Sequence, residues 1–407
     1  MSNKLDDGNE FDVTIIGGGI HGVGIAQAAA AAGYSVLVIE KQGLASGTSC
    51  KSSKLIHGGL RYLESFEFSL VRESLNEREL LLDLAPDLVH RKKFFIPIYP
   101  QTSRRAWWVG VGLLAYTILA GFGKYTRFRK VPRREWGELD GLNTENLQVV
   151  YQYWDAQTDD AALTRAVMQS ATELGAELIC PARFLSAEVA EGRVLVQYQQ
   201  DGQNLSVSTK VLVNAAGPWA DKVAAMIVPK MKPLAVDNVA GSHIELPGKV
   251  EEGCYYLEVE EGCYYLEVEA DKRAVFVMPK GDRTLVGTTE RIYRDDPDKI
   301  DSTPEAIEYL LDVYRKHFPA RDTQVLDSWA GLRVLPAAQG NAFKRSRETQ
   351  LPTDSERDPR VLSVFGGKLT GYRATAEKVM SILCRSLPKR EPIANTRKLK
   401  LKPEHSS

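Results

Sequence analysis

Residues 52–64, SSKLIHGGLRYLE, gather two serines, Lys54, His57, Arg61, Tyr62 and the pair Gly58-Gly59 within thirteen positions. Adjacent glycines are unfavourable in the middle of a helix, and a buried strand would leave that many donors unpaired. The stretch suits the presentation of donors to a ligand rich in acceptors. With 52 Lys+Arg against 53 Asp+Glu, the net charge is −1. No global field draws nucleic acid, and no nucleic-acid partner is expected. An anionic ligand has to be met by local clusters of this kind.

A second cluster lies upstream. Gly17-x-Gly19-x-x-Gly22 follows the β-branched apolar run 11–16 (FDVTII) and opens an Ala-rich stretch, 23–32, closed by Gly33. Residues 34–39 (YSVLVI) then end at Glu40. Strand, glycine turn, helix and strand make a βαβ unit whose glycines let a pyrophosphate approach the positive end of the helix. Glu40, 18 residues after Gly22, is placed to accept from the ribose hydroxyls of an adenosine half. A nicotinamide-binding domain would continue with further βαβ units. This chain runs instead into 43–54 (GLASGTSCKSSK), whose small and hydroxyl residues can wrap an extended flavin dinucleotide. Small-residue strand ends recur at 214–219 (NAAGPW) and 365–369 (FGGKL). The latter opens a C-terminal helix and can place backbone N–H groups at an isoalloxazine. A cofactor touched by the start, middle and end of a chain calls for interleaved domains.

The elements that must position these clusters are legible as patterns. Helical spacing covers 70–85, 158–175, 304–318, with Pro in its first turn, and 369–387; strand-like runs cover 186–198, 205–213 and 211–219, continue to about 289, and return at 361–367. The expected fold class is α/β (α+β overall). A Rossmann-like FAD-binding domain from 11–90, 150–225 and 325–387 interleaves with a strand-rich antiparallel substrate domain from 91–149 and 226–324. Residues 388–407 are expected to form a flexible tail. A length of 407 residues with 43 % apolar content supports two cores. The five cysteines are scattered, odd in number and lack CxxC, which argues against a disulfide framework or metal site. No metal is expected. The polar, acidic N-terminus lacks a signal-peptide pattern, and the expected location is cytoplasmic.

Two segments stand apart. Residues 106–123 (AWWVGVGLLAYTILAGFG) carry no charge and are flanked by Arg104, Arg105, Lys124, Arg127, Arg129 and Lys130. A buried helix, an interfacial helix with Trp at a lipid surface, and a membrane span all fit that composition. Residues 250–258 (VEEGCYYLE) recur unchanged as 259–267. A period of nine is odd, so both copies cannot bury the same tyrosines in one strand. One copy is expected to fill the native strand and the other to bulge or extend a hairpin.

IIGGGIHGVGIA, TSCKSSKLIHGGLRYLE, NAAGPW, GSHI, VGTTE, AGLRVLP and LSVFGGKLTGYR, in this order, resemble the FAD-dependent glycerol-3-phosphate dehydrogenase family, within the flavoproteins built like D-amino-acid oxidase. The resemblance covers roughly 11–387; SSKLIHGGLRYLE and GGKLTGYR are its specific parts. It departs at Ala28 and Ala32, where family members usually carry Asp and Arg, and at Ala162, where they usually carry Arg. The helical C-terminal domain of longer members has no counterpart. With one copy of the repeat removed, the spacing from His243 to Asp271 resembles the family's.

The resemblance implies FAD as cofactor, contacted by Gly17, Gly19, Gly22, Glu40, Thr48, Ser49, Ser52, Ser53, Lys54, His57, Gly58, Gly217, Trp219, Gly367, Lys368, Leu369 and Thr370. It implies oxidation of sn-glycerol 3-phosphate to dihydroxyacetone phosphate by hydride transfer to flavin N5, with electrons passed to a quinone. A phosphorylated polyol brings about two negative charges, for which Arg forks and Lys point charges are the natural clamp. Arg61, Tyr62, Thr289, Arg333, Arg347 and Lys368 are the candidates, and by resemblance Arg61, Tyr62, Arg333 and Lys368 line the substrate face of the flavin. His243, in GSHI, is the expected base, with His57 as its rival; Arg333 and Lys368 could also stabilise developing negative charge. Expected partners are the phosphorylated substrate, a quinone or other electron acceptor, and a peripheral contact at the inner face of the cytoplasmic membrane; a homodimer is compatible. Two other readings stay open. A sibling oxidase or dehydrogenase for an amino acid or 2-hydroxy acid would not need Arg61, Arg333 and Lys368 together. A non-catalytic flavin-binding paralogue would hold flavin that no polyol phosphate reduces.

Overall fold

Strands buried on both faces have to be covered by helices or by a second layer, and residues 11–16 and 36–39 are buried throughout. The computed structural model, which describes residues 10–102, 104–121, 123, 125–258, 274–337 and 348–403, shows what covers them. The first sheet has the order Ile227–Val228, Arg183–Ala190, Arg193–Gln200, Gln203–Asn214, Glu10–Ile16, Val36–Ile39, Glu177–Ile179, and Val361–Ser363 also pairs with Gln203–Asn214. Its centre is parallel: Ile16 pairs with Ile39 and with Asn214, and Asn214 with Ser363. Four C-terminal strand ends therefore open on one edge, where open α/β sheets bind ligands.

The α-helices of the described residues are α1 (Ile20–Ala31), α2 (Phe68–Leu84), α3 (Ala106–Ala120), α4 (Asp160–Glu173), α5 (Ala220–Ala224), α6 (Pro304–His317) and α7 (Tyr372–Leu383). Val13, Ile15, Val36, Val38, Val211 and Val213 face a core shared with Val23 and Ala26 of α1, Leu163 and Val167 of α4, and Tyr372 and Val379 of α7. Leu37, Ile39 and Leu212, alternating with these, face a second core with Phe184, Val196 and Val223. The small residues of α1 permit close approach, for a Cβ on Gly24 would lie 2.6 Å from the Tyr372 ring. The helix starts carry local signals. The Asp159 carboxylate accepts from Ala162 N–H at 2.9 Å ahead of α4, and the Thr303 hydroxyl accepts from Ala306 N–H at 3.3 Å ahead of α6, whose first residue is Pro304.

The second sheet has the order Arg291–Tyr293, Val236–Leu246, Arg283–Gly287, Ala274–Lys280, Cys254–Glu258, Val89–Ile98, Val149–Thr158, Leu55–Ile56. Asp327–Pro336 also pairs with Val236–Leu246, and Arg129–Lys130 with Val149–Thr158. Leu310, Leu311 and Tyr314 of α6, with Phe318, pack on Tyr255, Val277 and Val286. Residues 150–158 and 327–336, grouped by sequence with the cofactor unit, hydrogen-bond into this second sheet; Val149–Thr158 then leads directly into α4 of the first unit.

Three segments differ from, or refine, the sequence reading. Residues 388–403, expected to be loose, are docked. Ile393 N–H donates to Ala31 O at 2.9 Å, Leu401 N–H to Leu84 O at 2.7 Å, and Leu401 is buried. Segment 106–123 yields the fifteen-residue α3, with Val109, Leu113, Tyr116 and Thr117 buried and Trp107, Trp108, Val111, Leu114 and Ile118 exposed. Among the described residues no helix is long and apolar enough to cross a membrane. Of the repeat, Cys254–Glu258 of the first copy forms a strand between Phe94-Phe95 and Ala274–Lys280; the second copy lies outside the described residues.

Candidate active site

The parallel strand ends open into a cavity of about 840 Å³ that reaches across to the second sheet. At its floor the glycine turn is set by contact distances. Gly17 has φ +112°, and a Cβ there would lie 2.6 Å from Ala215 O; a Cβ on Gly22 would lie 1.9 Å from Gly17 O. Glu40 is buried, and its carboxylate accepts from Gly18 N–H at 2.6 Å and Gln42 N–H at 2.8 Å, so it shapes the turn as well as facing the cavity. Ser49 Oγ accepts from Ile20 N–H at 2.9 Å, one of the N–H groups that the start of α1 leaves open. Thr48 Oγ1 donates to Leu332 O at 2.6 Å and so ties this wall to the second sheet.

Asp160, in the first turn of α4, organises the next residues. Its carboxylate accepts from Ser52 Oγ at 2.7 Å, Ser52 N–H at 3.0 Å and Lys54 Nζ at 2.5 Å. Ser52 and Ser53 line the cavity; Lys54, expected there, is buried against Asp160 instead. Gly58 and Gly22 also lie behind the lining: Gly58 N–H donates to the Tyr116 hydroxyl at 2.9 Å, and a Cβ there would strike Leu75. Thr289 is buried, its Oγ1 accepting from Ser242 N–H at 2.9 Å, and its neighbour Thr288 faces the cavity. Arg347 lies outside the described residues.

The other walls come from far along the chain. Gly217 (φ +55°) and Trp219 line one side; Trp219 Nε1 donates to Asp298 Oδ2 at 3.2 Å, and Lys41 lies 3.8 Å over its ring. Gly366 (φ +76°) and Gly367 (φ +98°) precede a 3-10 turn at Leu369–Gly371, and Lys368, Leu369 and Thr370 complete that wall. Thr370 Oγ1 accepts from His57 N–H at 3.1 Å, and His57 lines the cavity.

Arg61, Tyr62, His243, Arg333 and Lys368 all line this cavity. Arg333 Nη1 donates to Glu290 Oε1 at 2.8 Å. Lys368 Nζ lies 3.7 Å over the Tyr62 ring and 3.4 Å from Ser74 Oγ, and the Arg61 guanidinium lies 5.5 Å from the same ring. His243 sits within Val236–Leu246, between two paired strands rather than at an edge. Its ring stacks on Trp329 at 5.6 Å, and Nε2 lies 3.1 Å from Ser53 Oγ. Burial, with Arg333 and Lys54 nearby, pushes its pKa down to about 3. The near-neutral value expected of a base is not met here, because the sequence does not show how deeply the ring is enclosed.

His21 was missed by the sequence reading. It lines the cavity with both ring nitrogens buried and without a hydrogen-bond partner among the described residues. The available signal was its place inside the glycine turn, GGGIHG.

A family model described as FAD dependent oxidoreductase matches residues 12–372. The chain belongs to that family. Glycerol-3-phosphate dehydrogenase of Pseudomonas aeruginosa is 39 % identical over 383 residues, covering 92 % of this chain and 71 % of the relative. D-erythritol 1-phosphate dehydrogenase of Brucella abortus is 35 % identical, covering 93 % and 74 %. Among solved structures, the glycerol-3-phosphate dehydrogenase of Bacillus halodurans complexed with FAD superposes with a TM-score of 0.74 at 25 % identity, covering 98 % of this chain and 68 % of that one. The residues of this FAD-dependent oxidoreductase fit its cofactor. A Cβ is excluded at Gly17 and Gly22 of the turn, Gly366 and Gly367 have positive φ, and Ser46, Thr48, Ser49, Ser52 and Ser53 line the cavity between these glycine segments and the second sheet.

Proposed function

We propose that this FAD-dependent oxidoreductase oxidises sn-glycerol 3-phosphate to dihydroxyacetone phosphate and that its electrons go on to a membrane quinone. The observation that carries the reading is that Arg61, Arg333 and Lys368 line the same cofactor cavity as neutral, buried His243, with Arg333 close enough to act on its ring. An amino acid or 2-hydroxy acid brings one carboxylate; three cations suit a phosphate dianion. The named activities of the Pseudomonas and Brucella relatives share a phosphorylated polyol.

When bound, FAD supplies a hydride acceptor. The chain's own residues do the rest. Arg333, held in place by Glu290, and Lys368, braced by Ser74 and Tyr62, bind and orient the phosphate. His243 Nε2, held 3.1 Å from Ser53 Oγ and stacked on Trp329, is the acceptor for the substrate hydroxyl proton. Its low pKa makes it a weak base in the empty site. A dianion entering beside Arg333 lowers the positive potential there and raises that pKa toward the working range. Tyr153, Tyr256 and Phe276 supply an aromatic wall at the same cavity.

The exposed side of α3 is the proposed contact with a lipid surface. Trp107, Trp108, Val111, Leu114 and Ile118 form an apolar face, with the exposed cations Arg105, Arg127, Arg129 and Lys130 flanking the helix; Phe66, on the turn ahead of α2, is also 77 % exposed. Such a face lies in the membrane plane and brings the enzyme to a lipid-soluble acceptor.

The test is the visible spectrum of the purified protein under anaerobic conditions, before and after glycerol 3-phosphate. Bleaching of the flavin band is expected. A band that stays yellow with glycerol 3-phosphate yet bleaches with an amino acid or hydroxy acid would overturn the substrate assignment.

A further inference from the structure

Arg78 of α2 and Asp155 of Val149–Thr158 form an ion pair at 2.6 Å whose side chains are 0 % and 1 % exposed. Neither lines the cavity, and the proposed reaction uses neither. Desolvation cancels much of the attraction in such a pair, so its net contribution to stability is small and what it holds in place matters more. It holds Tyr116 of α3. The Tyr116 O–H donates to Asp155 Oδ2 at 2.8 Å, and the same hydroxyl oxygen accepts from Gly58 N–H at 2.9 Å. The directions are forced, because an ionised carboxylate only accepts and a backbone N–H only donates. Burial, with Asp155 alongside, pushes the Tyr116 pKa well above its ordinary value, so the hydroxyl keeps its proton. Asp155 Oδ1 is a second, longer acceptor for Gly58 N–H, at 3.3 Å. Two helices and a strand thus converge on one backbone N–H.

That N–H belongs to the foot of the turn from which Arg61 and Tyr62 reach the cavity. A Cβ on Gly58 would lie 2.5 Å from the Tyr116 hydroxyl and 2.6 Å from Leu75, so the backbone is pressed directly against α2 and α3. Gly59, at φ +78°, then leads into the 3-10 turn Leu60–Leu63, which Tyr62 N–H closes onto Gly59 O at 2.9 Å. Arg61 and Tyr62 line the cavity, and the Tyr62 ring lies 3.7 Å beneath Lys368 Nζ. A shift of the backbone at Gly58 therefore moves Arg61 and Tyr62 together.

We propose that Tyr116 is a positioning residue for substrate binding: through Gly58 N–H it fixes the turn that presents Arg61 and Tyr62, and Arg78 and Asp155 fix Tyr116. It touches neither substrate nor cofactor. The inference rests on the reading that Arg61 meets the substrate phosphate.

The test is steady-state kinetics of the full-length holoenzyme with glycerol 3-phosphate and an artificial electron acceptor. Tyr116→Phe removes the hydroxyl and keeps the ring. KM should rise by about fivefold to tenfold, the size of one lost hydrogen bond, with kcat within about twofold of wild type, since His243 and the flavin are untouched. Arg61→Ala should raise KM on its own, and adding Tyr116→Phe to it should raise KM by no more than about threefold further, because the cation that Tyr116 positions has gone. A raised KM in Arg61→Ala with a wild-type KM in Tyr116→Phe overturns the positioning role alone. The full factor in the Arg61→Ala background, or a fall in kcat and flavin content at unchanged KM, also overturns it, for either marks general support of the fold. A wild-type KM in Arg61→Ala overturns the role of Arg61 at the phosphate and this inference with it. If Tyr116→Phe yields no holoenzyme, Gly58→Ala decides: its methyl group pushes the turn off an intact network, so the same rise in KM is expected, and a wild-type KM refutes the proposal.

Discussion

Replacing Arg333 by Ala separates the proposed phosphate clamp from every other role in the cavity. Arg333 reaches the site from the second sheet and its guanidinium is fixed by Glu290, whose side chain is only 6 % exposed. The substitution has two consequences. One charge-assisted hydrogen bond to the substrate is lost, worth about 1.5–3 kcal/mol. The Glu290 carboxylate is also left facing an incoming dianion, and breaking a buried pair by removing one partner leaves an uncompensated charge. Together these give about 3–5 kcal/mol, or a fall of about 150- to 5000-fold in kcat/KM for glycerol 3-phosphate. Arg333→Lys keeps the charge but loses the fork and should fall by about tenfold. Arg333→Ala with Glu290→Gln should recover about tenfold over the single variant, because the repulsive charge has gone. Steady-state kinetics with an artificial electron acceptor provides the numbers, and the flavin spectrum of each variant shows that the cofactor remains. A loss below about fivefold in Arg333→Ala, with flavin intact, refutes the clamp; no recovery in the double variant refutes the part assigned to Glu290.

Three further outcomes are expected. His243 has a folded pKa of about 3 against 6.5 in the unfolded chain, so the unfolded state binds the extra proton between those values and stability falls as pH drops through that window; at pH 5 this one group accounts for about 2 kcal/mol. Urea unfolding at pH 7 and pH 5 should show a smaller acid loss in His243→Gln, and an equal loss in both proteins would sink the burial argument. Gly22→Ala places a methyl group 1.9 Å from Gly17 O, which the start of α1 cannot accommodate, so the purified variant should carry far less flavin per chain than wild type by absorbance. Leu114→Asp on the exposed side of α3 puts a charge where lipid is proposed to lie; sedimentation with anionic vesicles should weaken by about tenfold or more while turnover with a soluble acceptor stays near wild type, and unchanged sedimentation would remove α3 from the membrane contact.

The βαβ start was legible because its signals are local and agree with one another: an apolar run, a glycine turn, an Ala-rich helix and Glu40 fall within thirty residues. Helices α2, α4, α6 and α7 were legible for the same reason, each as a stretch of helical spacing and two with a side-chain cap. What was not legible depended on distant partners. The docking of 388–403 rests on hydrogen bonds to Ala31 and Leu84 and on the burial of Leu401, none of which a basic, polar composition announces. Segment 106–123 is apolar on nearly all sides, so no periodicity marks which face of α3 is covered; Tyr116, bonded to Gly58 and Asp155, fixes it. Lys54 read as a ligand donor because Asp160 lies 106 residues away. His21 was passed over because its enclosure requires Gly367, at the other end of the chain.

The placement of Val361–Ser363 beside Gln203–Asn214, and of α7 against α1, has a consequence for biosynthesis. The nucleotide turn at 17–22 leaves the ribosome about 340 residues ahead of the Gly366-Gly367 wall. Until about residue 383 has emerged, α1 lacks α7 as a cover and His21 lacks the Gly366-Gly367 wall. An enzyme wound in this way cannot complete its flavin site before α7 has been made, and every shorter nascent chain exposes the apolar surface that α7 later covers.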